Sequence, residues 1–158
     1  MVTVTPWITV RIAATYRSRC VGFQYLPMRR TSQGREAIEP GAHAVPVLRA
    51  NAAKLGNPAN LILHALPFRM VLPRLDGVEL LFADPPFAWY ADDAGTIAEL
   101  LRLGAGCLAP AARFVIRGER GVDLPELPAG LVERDRRAYG RSWLALLQPG
   151  AADPGASR

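Results

Sequence analysis

The stretch Val78–Ala83, VELLFA, is apolar except for Glu79 and stops at Asp84-Pro85-Pro86-Phe87. A strand with so few polar positions is expected to be covered on both faces, as interior strands of parallel α/β sheets are. The two prolines cannot continue it. Each lacks a backbone N–H and holds φ near about −65°, and Pro86 also restricts Pro85 before it. The chain therefore leaves the strand in a stiff, pre-set shape, with a carboxylate and an aromatic ring beside it. In α/β sheets, ligands bind beyond the carboxyl ends of the strands. Asp84, Pro85, Pro86 and Phe87 are accordingly the first candidates for a site.

The surrounding pattern supports an α/β sheet. Ile8–Ile12 alternates and is β-branched, which predicts a strand, with Cys20–Leu26 as its returning partner in a hairpin. Pro27–Gln33 reads as polar loop, and Thr31 or Ser32 is expected to cap a short helix through Ile38. Ala42–Leu55 carries Val45, Leu48, Ala52 and Leu55 at helical spacing, with Pro46 in the first turn and Gly56 as C-cap. Asn60–His64 predicts a strand, Asp92–Leu103 a helix closed by Gly104-Ala105-Gly106, and Arg113–Arg117 a further strand. Leu131–Ala138 and Ser142–Gln148 read as an antiparallel pair turning at Tyr139-Gly140. Helix and strand thus alternate between residues 42 and 117, the pattern of a parallel sheet with helices on its faces.

A chain of 158 residues suits one domain with a real core. Net charge is +5, which favours an anionic partner. Lys54 is the only lysine among 19 basic residues; the others are arginine, a planar fork suited to phosphate and to stacking on bases. Cys20 and Cys107 lie far apart without metal spacing, which fits a reducing cytoplasm and predicts no metal. No stretch approaches the ~20 apolar residues of a membrane span, and no signal peptide is expected. His43 and His64 stand singly and read as structural.

Asp84-Pro85-Pro86-Phe87 after an apolar strand resembles the (Asp/Asn)-Pro-Pro-aromatic motif of amino-group methyltransferases that use S-adenosylmethionine. An exocyclic amine on a base is a poor nucleophile, because its lone pair is delocalised into the ring. The Asp84 carboxylate and the Pro85 carbonyl are expected to accept its N–H groups and turn that lone pair toward an incoming methyl. Phe87 is expected to stack on the base once it is turned out. Other segments extend the likeness. Val10–Arg19 resembles the basic opening hairpin of the RsmD-like bacterial small-subunit ribosomal RNA (guanine-N2)-methyltransferases, and Arg30–Ile38 resembles the Arg-Pro-Thr-Ser-…-Arg-Glu-Ala segment that follows it there. Glu39-Pro40, Ala50-Asn51, Leu55-Gly56 and Ala138–Arg141 match later parts in the same order.

The resemblance implies a Rossmann-like class I methyltransferase sheet and S-adenosylmethionine as cofactor, with Glu39 holding the ribose hydroxyls. It also implies an RNA-facing patch of Arg17, Arg19, Arg29 and Arg30, acting through phosphate contacts. The same comparison shows departures. Ile38 runs straight into Glu39, so the family's first strand and its glycine-rich cofactor loop are missing, and the expected sheet is truncated. His64-Ala65 and Arg117 stand where acidic residues are common, and Ala14 and Ser18 replace glycines of the hairpin. The expected organisation is a basic hairpin and short helix over 1–38, a partial methyltransferase domain over 39–148 and a disordered tail over 149–158. The expected activity is methylation of a guanine 2-amino group in small-subunit ribosomal RNA. A catalytically inactive RNA-binding remnant is the alternative. Ribosomal RNA or the small subunit is the expected partner, with the chain a cytoplasmic monomer that uses no membrane.

Overall fold

A computed structural model of the chain describes residues 7–11, 35–59 and 61–150. Seven strands form one sheet in the order β3-β2-β1-β4-β5-β7-β6. They are β1 (Trp7–Arg11), β2 (Arg35–Ile38), β3 (Leu61–His64), β4 (Val78–Asp84), β5 (Leu108–Glu119), β6 (Leu131–Tyr139) and β7 (Ser142–Pro149). The helices are α1 (Ala44–Lys54), α2 (Phe68–Val71), α3 (Ala88–Asp92) and α4 (Ala94–Cys107), with a 3-10 turn at Leu72–Arg74 after α2. No described helix is long and apolar enough to cross a membrane.

The parallel pairs are β2 with β3 and β4 with β5. Between these two pairs lies β1, antiparallel to both β2 and β4, with Thr9 opposite Ala37 on one side and Phe82 on the other. The expected strand at the start of the chain is therefore present over Trp7–Arg11. Both of its hydrogen-bonding edges are occupied, and Cys20–Leu26 lies outside the described residues. The described parts of residues 1–38 are built into the same sheet as the rest of the chain.

Three expectations are corrected. Arg35–Ile38 is a strand rather than the end of a helix, with Glu36 and Ile38 buried on alternate positions and Arg35 and Ala37 less so. The glycines after Leu103 do not close α4, which runs on to Cys107. Gly104 serves close packing instead: a Cβ there would sit 2.6 Å from Phe114 Cε1 and 2.9 Å from Leu81 Cδ2. Finally, β7 includes Pro149, and the Gly150 N–H donates to the Gly130 carbonyl at 2.8 Å, so ordered chain extends past the expected start of the tail. Residues 151–158 lie outside the described residues. The predicted β6–β7 pair is present, and Gly140 turns it with φ +57°.

The core lies on one face of the sheet. Phe68, Val71 and Leu72 join Ile97, Leu100 and Leu101 of α4 against Ile38, Leu81, Ala83, Phe114 and Ile116. Asp93 fixes where α4 begins: its carboxylate accepts from the Thr96 N–H at 3.2 Å and from the Thr96 hydroxyl at 2.5 Å. The Thr96 hydrogen bond is also the main cause of an Asp93 carboxyl held below its ordinary range. Cys107 is buried and free, and burial pushes its thiol up to about 11, which makes it a packing residue rather than a nucleophile. By contrast α1 buries only Ala44 and Val45, and Val47 and Leu55 face solvent.

Candidate active site at the carboxyl ends of the parallel strands

β4 ends at Asp84, and the prolines turn the chain into α3, where the Trp89 N–H donates to the Pro86 carbonyl and the Tyr90 N–H to the Phe87 carbonyl, both at 3.0 Å. Pro85 is buried, while Asp84, Pro86 and Phe87 are half-buried. The four residues stand together as expected. Glu39 lies at the end of β2. Its position follows from the registers: Ile8 pairs with Ile38 and with Ala83, and Trp7 pairs with Asp84. Glu39 and Asp84 thus share one level of the sheet, two strand spacings or about 10 Å apart.

Glu39 is fully buried. Its N–H donates to the His64 carbonyl at 3.0 Å, and its Oε1 accepts from the Gly41 N–H at 2.6 Å. Its Oε2 has no hydrogen-bond partner among the described residues. Burial raises the carboxyl above its ordinary value, and the Gly41 hydrogen bond offsets part of that rise. A buried carboxylate oxygen left unpaired is costly unless a ligand satisfies it. The sign of the pH dependence follows. A raised folded-state value favours the protonated folded form, so this contribution to stability is complete below the ordinary value of 4.5 and is lost as pH rises through the raised one. Glu39→Gln removes the charge that is poorly accommodated. The variant is expected to melt at a higher temperature than the parent at pH 7, with the gap closing as pH falls toward 4.5. Thermal melts at several pH values check this, and an equal gap at every pH would contradict it.

Arg117, near the end of β5, faces Asp84. Its Nη1 donates to Asp84 Oδ2 at 3.1 Å and to Oδ1 at 3.3 Å. Its Nε and Nη2 donate to the Ser142 hydroxyl at 3.2 and 2.9 Å. Its Cζ lies 5.0 Å from the centre of the Phe87 ring. The Tyr90 hydroxyl donates to the Arg117 carbonyl at 2.6 Å, and burial, with the Asp84 charge adding to it, pushes that phenol far above its ordinary value. Trp143 backs the group: it meets Tyr90 edge-on at 5.6 Å, and its indole N–H donates to the Val122 carbonyl at 2.8 Å. That ring lies over Gly118, where a Cβ would come within 2.5 Å of Trp143 Cε2.

Sequence reasoning placed Asp84–Phe87 and Glu39. It noted Arg117 only as a departure from the family pattern and passed over Ser142 and Tyr90. It also read His64 as a lone histidine, whereas the half-buried ring is paired with the buried carboxylate of Glu36 on β2. Arg17, Arg19, Arg29 and Arg30 lie outside the described residues. Arg136 and Arg137 are tied to Glu133, Asp123 and Asp135 by ion pairs. Among the described residues no cluster of three or more potential metal ligands occurs.

A family model described as conserved hypothetical protein 95 matches residues 28–148. The chain belongs to that family. Its members are the RsmD-like class I methyltransferases that the sequence resembles. No curated protein matches the chain. Among solved structures, a conserved hypothetical protein of Streptococcus pyogenes superposes with a TM-score of 0.63 at 20% identity, covering 76% of this chain and 74% of that one. The Escherichia coli protein yhhF, provisionally named a methyltransferase, gives 0.63 at 24% identity, over 75% of this chain and 65% of that one. TrmN of Thermus thermophilus gives 0.64 at 21% identity, over 72% of this chain and 36% of that one. At these identities the likeness is one of fold, and it establishes the expected α/β methyltransferase class.

The family implies S-adenosylmethionine, and the residues present fit one end of it. The unpartnered, buried Oε2 of Glu39 is the kind of acceptor that a ribose hydroxyl satisfies. The position between β2 and β4, from which a glycine-rich turn would follow a parallel strand, is held by the start of antiparallel β1. The described residues thus offer an acceptor of the kind a ribose needs and no glycine-rich turn beside it.

Proposed function

We propose that this chain methylates the exocyclic 2-amino group of a guanine in small-subunit ribosomal RNA, with S-adenosylmethionine as the methyl donor. The observation that carries this reading is the pairing of two features at one level of the sheet: the Asp84-Pro85-Pro86-Phe87 turn, and Glu39 with its unsatisfied oxygen. The bound cofactor supplies an electrophilic methyl group. The chain's own residues do the rest. Glu39 accepts from the ribose hydroxyls and fixes the nucleoside. The Asp84 carboxylate and the Pro85 carbonyl accept the amine's N–H groups, direct its lone pair, and stabilise the positive charge that grows on nitrogen. Phe87 stacks on the turned-out base. Arg17, Arg19, Arg29 and Arg30 hold RNA phosphates, which predicts binding that weakens with salt.

A second reading is an RNA-binding remnant without methyl transfer. It is favoured by antiparallel β1 standing where the cofactor turn would begin. Calorimetric titration of the purified chain with S-adenosylhomocysteine separates the two. Saturable binding that weakens at least tenfold in Glu39→Gln supports the enzyme. No binding by a folded chain, with ribosomal RNA still bound, supports the remnant.

A further inference from the structure

Arg117 has an arrangement that an ordinary surface ion pair does not need. One of its NH₂ groups, Nη1, donates to both oxygens of Asp84, while Cζ of the same guanidinium lies over the Phe87 ring, 5.0 Å from its centre. These are the two contacts that the site is read as making with its substrate: a carboxylate on an exocyclic NH₂, and an aromatic ring on the flat group that bears it. A guanine carries a guanidine-type fragment, N1–H with C2–NH₂, so an arginine side chain reproduces its donor edge. The rest of the guanidinium is held by Ser142, a buried residue on β7, which leaves Nη1 to point at Asp84.

We propose that Arg117 is a built-in stand-in for the substrate amine: it fills the space between Asp84 and Phe87 and is displaced when a base carrying a guanidine-type edge enters. The proposal rests on reading the Asp84 turn as an amine site. Displacement is cheap. The Arg117 and Asp84 side chains keep 40% and 30% exposure, and ion pairs so open to water contribute little. Once displaced, the arginine keeps its charge and is free to meet the phosphate of the incoming nucleotide. A rigid alternative, an arginine that merely ties β5 to β4, predicts instead that emptying the space leaves nothing behind that a base can use.

The test uses the full chain, its Arg117→Ala variant and two probes, methylguanidinium and guanosine, followed by the ring resonances of Phe87. Methylguanidinium is expected to shift those resonances saturably in Arg117→Ala and not in the parent, with methylammonium inert as the charge control. Guanosine is expected to compete with it and to bind Arg117→Ala roughly fivefold more tightly than the parent, the gain from removing an exposed competitor. Equal guanosine affinity in the two folded proteins, including no binding by either, overturns the proposal. So does a space that takes methylguanidinium without competition from guanosine. That last result leaves the methyltransferase reading standing on its own cofactor titration. If Arg117→Ala fails to fold, Ser142→Ala serves instead. It frees two of the donor groups that anchor Arg117, and a smaller but measurable rise in guanosine affinity is expected; no rise counts against the proposal.

Discussion

Thr9→Pro is expected to unfold much of the chain or to lower its stability by on the order of 3 kcal/mol, because it strikes the one strand that joins two halves of the sheet. Thr9 sits at the middle of β1, opposite Ala37 of β2 and Phe82 of β4. Proline removes a ladder donor and is excluded from interior strands for that reason. On one side of β1 stands the small parallel pair β2–β3; on the other stand β4, β5, β7 and β6. The link between these halves is thin in other respects, since α1 buries only two residues and β2 adds Ile38 to the core. A loss of this size is a large share of the stability of a typical domain, about 5–15 kcal/mol. Urea unfolding measures it, and amide exchange gives its pattern. Protection should vanish in β2 and β3 first and persist in β5 and β7, which pair with each other over six residues. An unchanged urea midpoint would mean that β1 does not hold this central place.

This strand also shows where sequence reading reached its limit. The alternation at Ile8–Ile12 marked a strand, but period two says nothing about which neighbours it takes or in which direction. Those choices are made by vacant edges elsewhere in the sheet. Arg35–Ile38 failed for a related reason. Four residues are too few for a period to show, and the preceding Thr31-Ser32 invites a helix cap; pairing with β1 and β3 overrides that local preference. Gly104 looked like a helix stop, because a glycine needed for close approach and one needed for a turn are the same letter. The elements that were legible, β4, α1 and the β6–β7 pair, carry their reasons within one short continuous stretch of chain.

The site divides along the same line. Asp84, Pro85, Pro86 and Phe87 are chemically informative as a contiguous group, whereas Glu39 is singled out only by the family resemblance, since the segment before it reads as helix and is strand β2. Arg117 lies 33 residues from Asp84 and Ser142 a further 25 beyond it, and only the β4–β5 and β5–β7 registers bring the three together. Nothing local in the β5 sequence distinguishes this arginine from Arg113, which turns back to the carbonyls of Ala111 and Ala112.

Asp84→Ala is expected to lower the rate of methyl transfer to small ribosomal subunits by 10²–10³-fold, with RNA affinity and melting temperature little changed. The size follows from the role proposed for the carboxylate. Removing one preorganised partner of the charge that develops in a transition state typically costs roughly that much. The loss should fall on kcat, because the carboxylate's hold on the amine matters most as nitrogen becomes positive. Stability should hardly move. The Asp84–Arg117 pair is half-exposed, and such pairs contribute about 0–1 kcal/mol. This combination separates catalysis from architecture, since an aspartate that only anchored β5 through Arg117 would change the melt before the rate. Asp84→Asn sharpens the comparison. It keeps one acceptor oxygen, and the motif this turn resembles admits asparagine, so its rate should fall between those of the parent and Asp84→Ala. A full rate in Asp84→Ala would remove the amine site from the mechanism, and the Arg117 stand-in would fall with it.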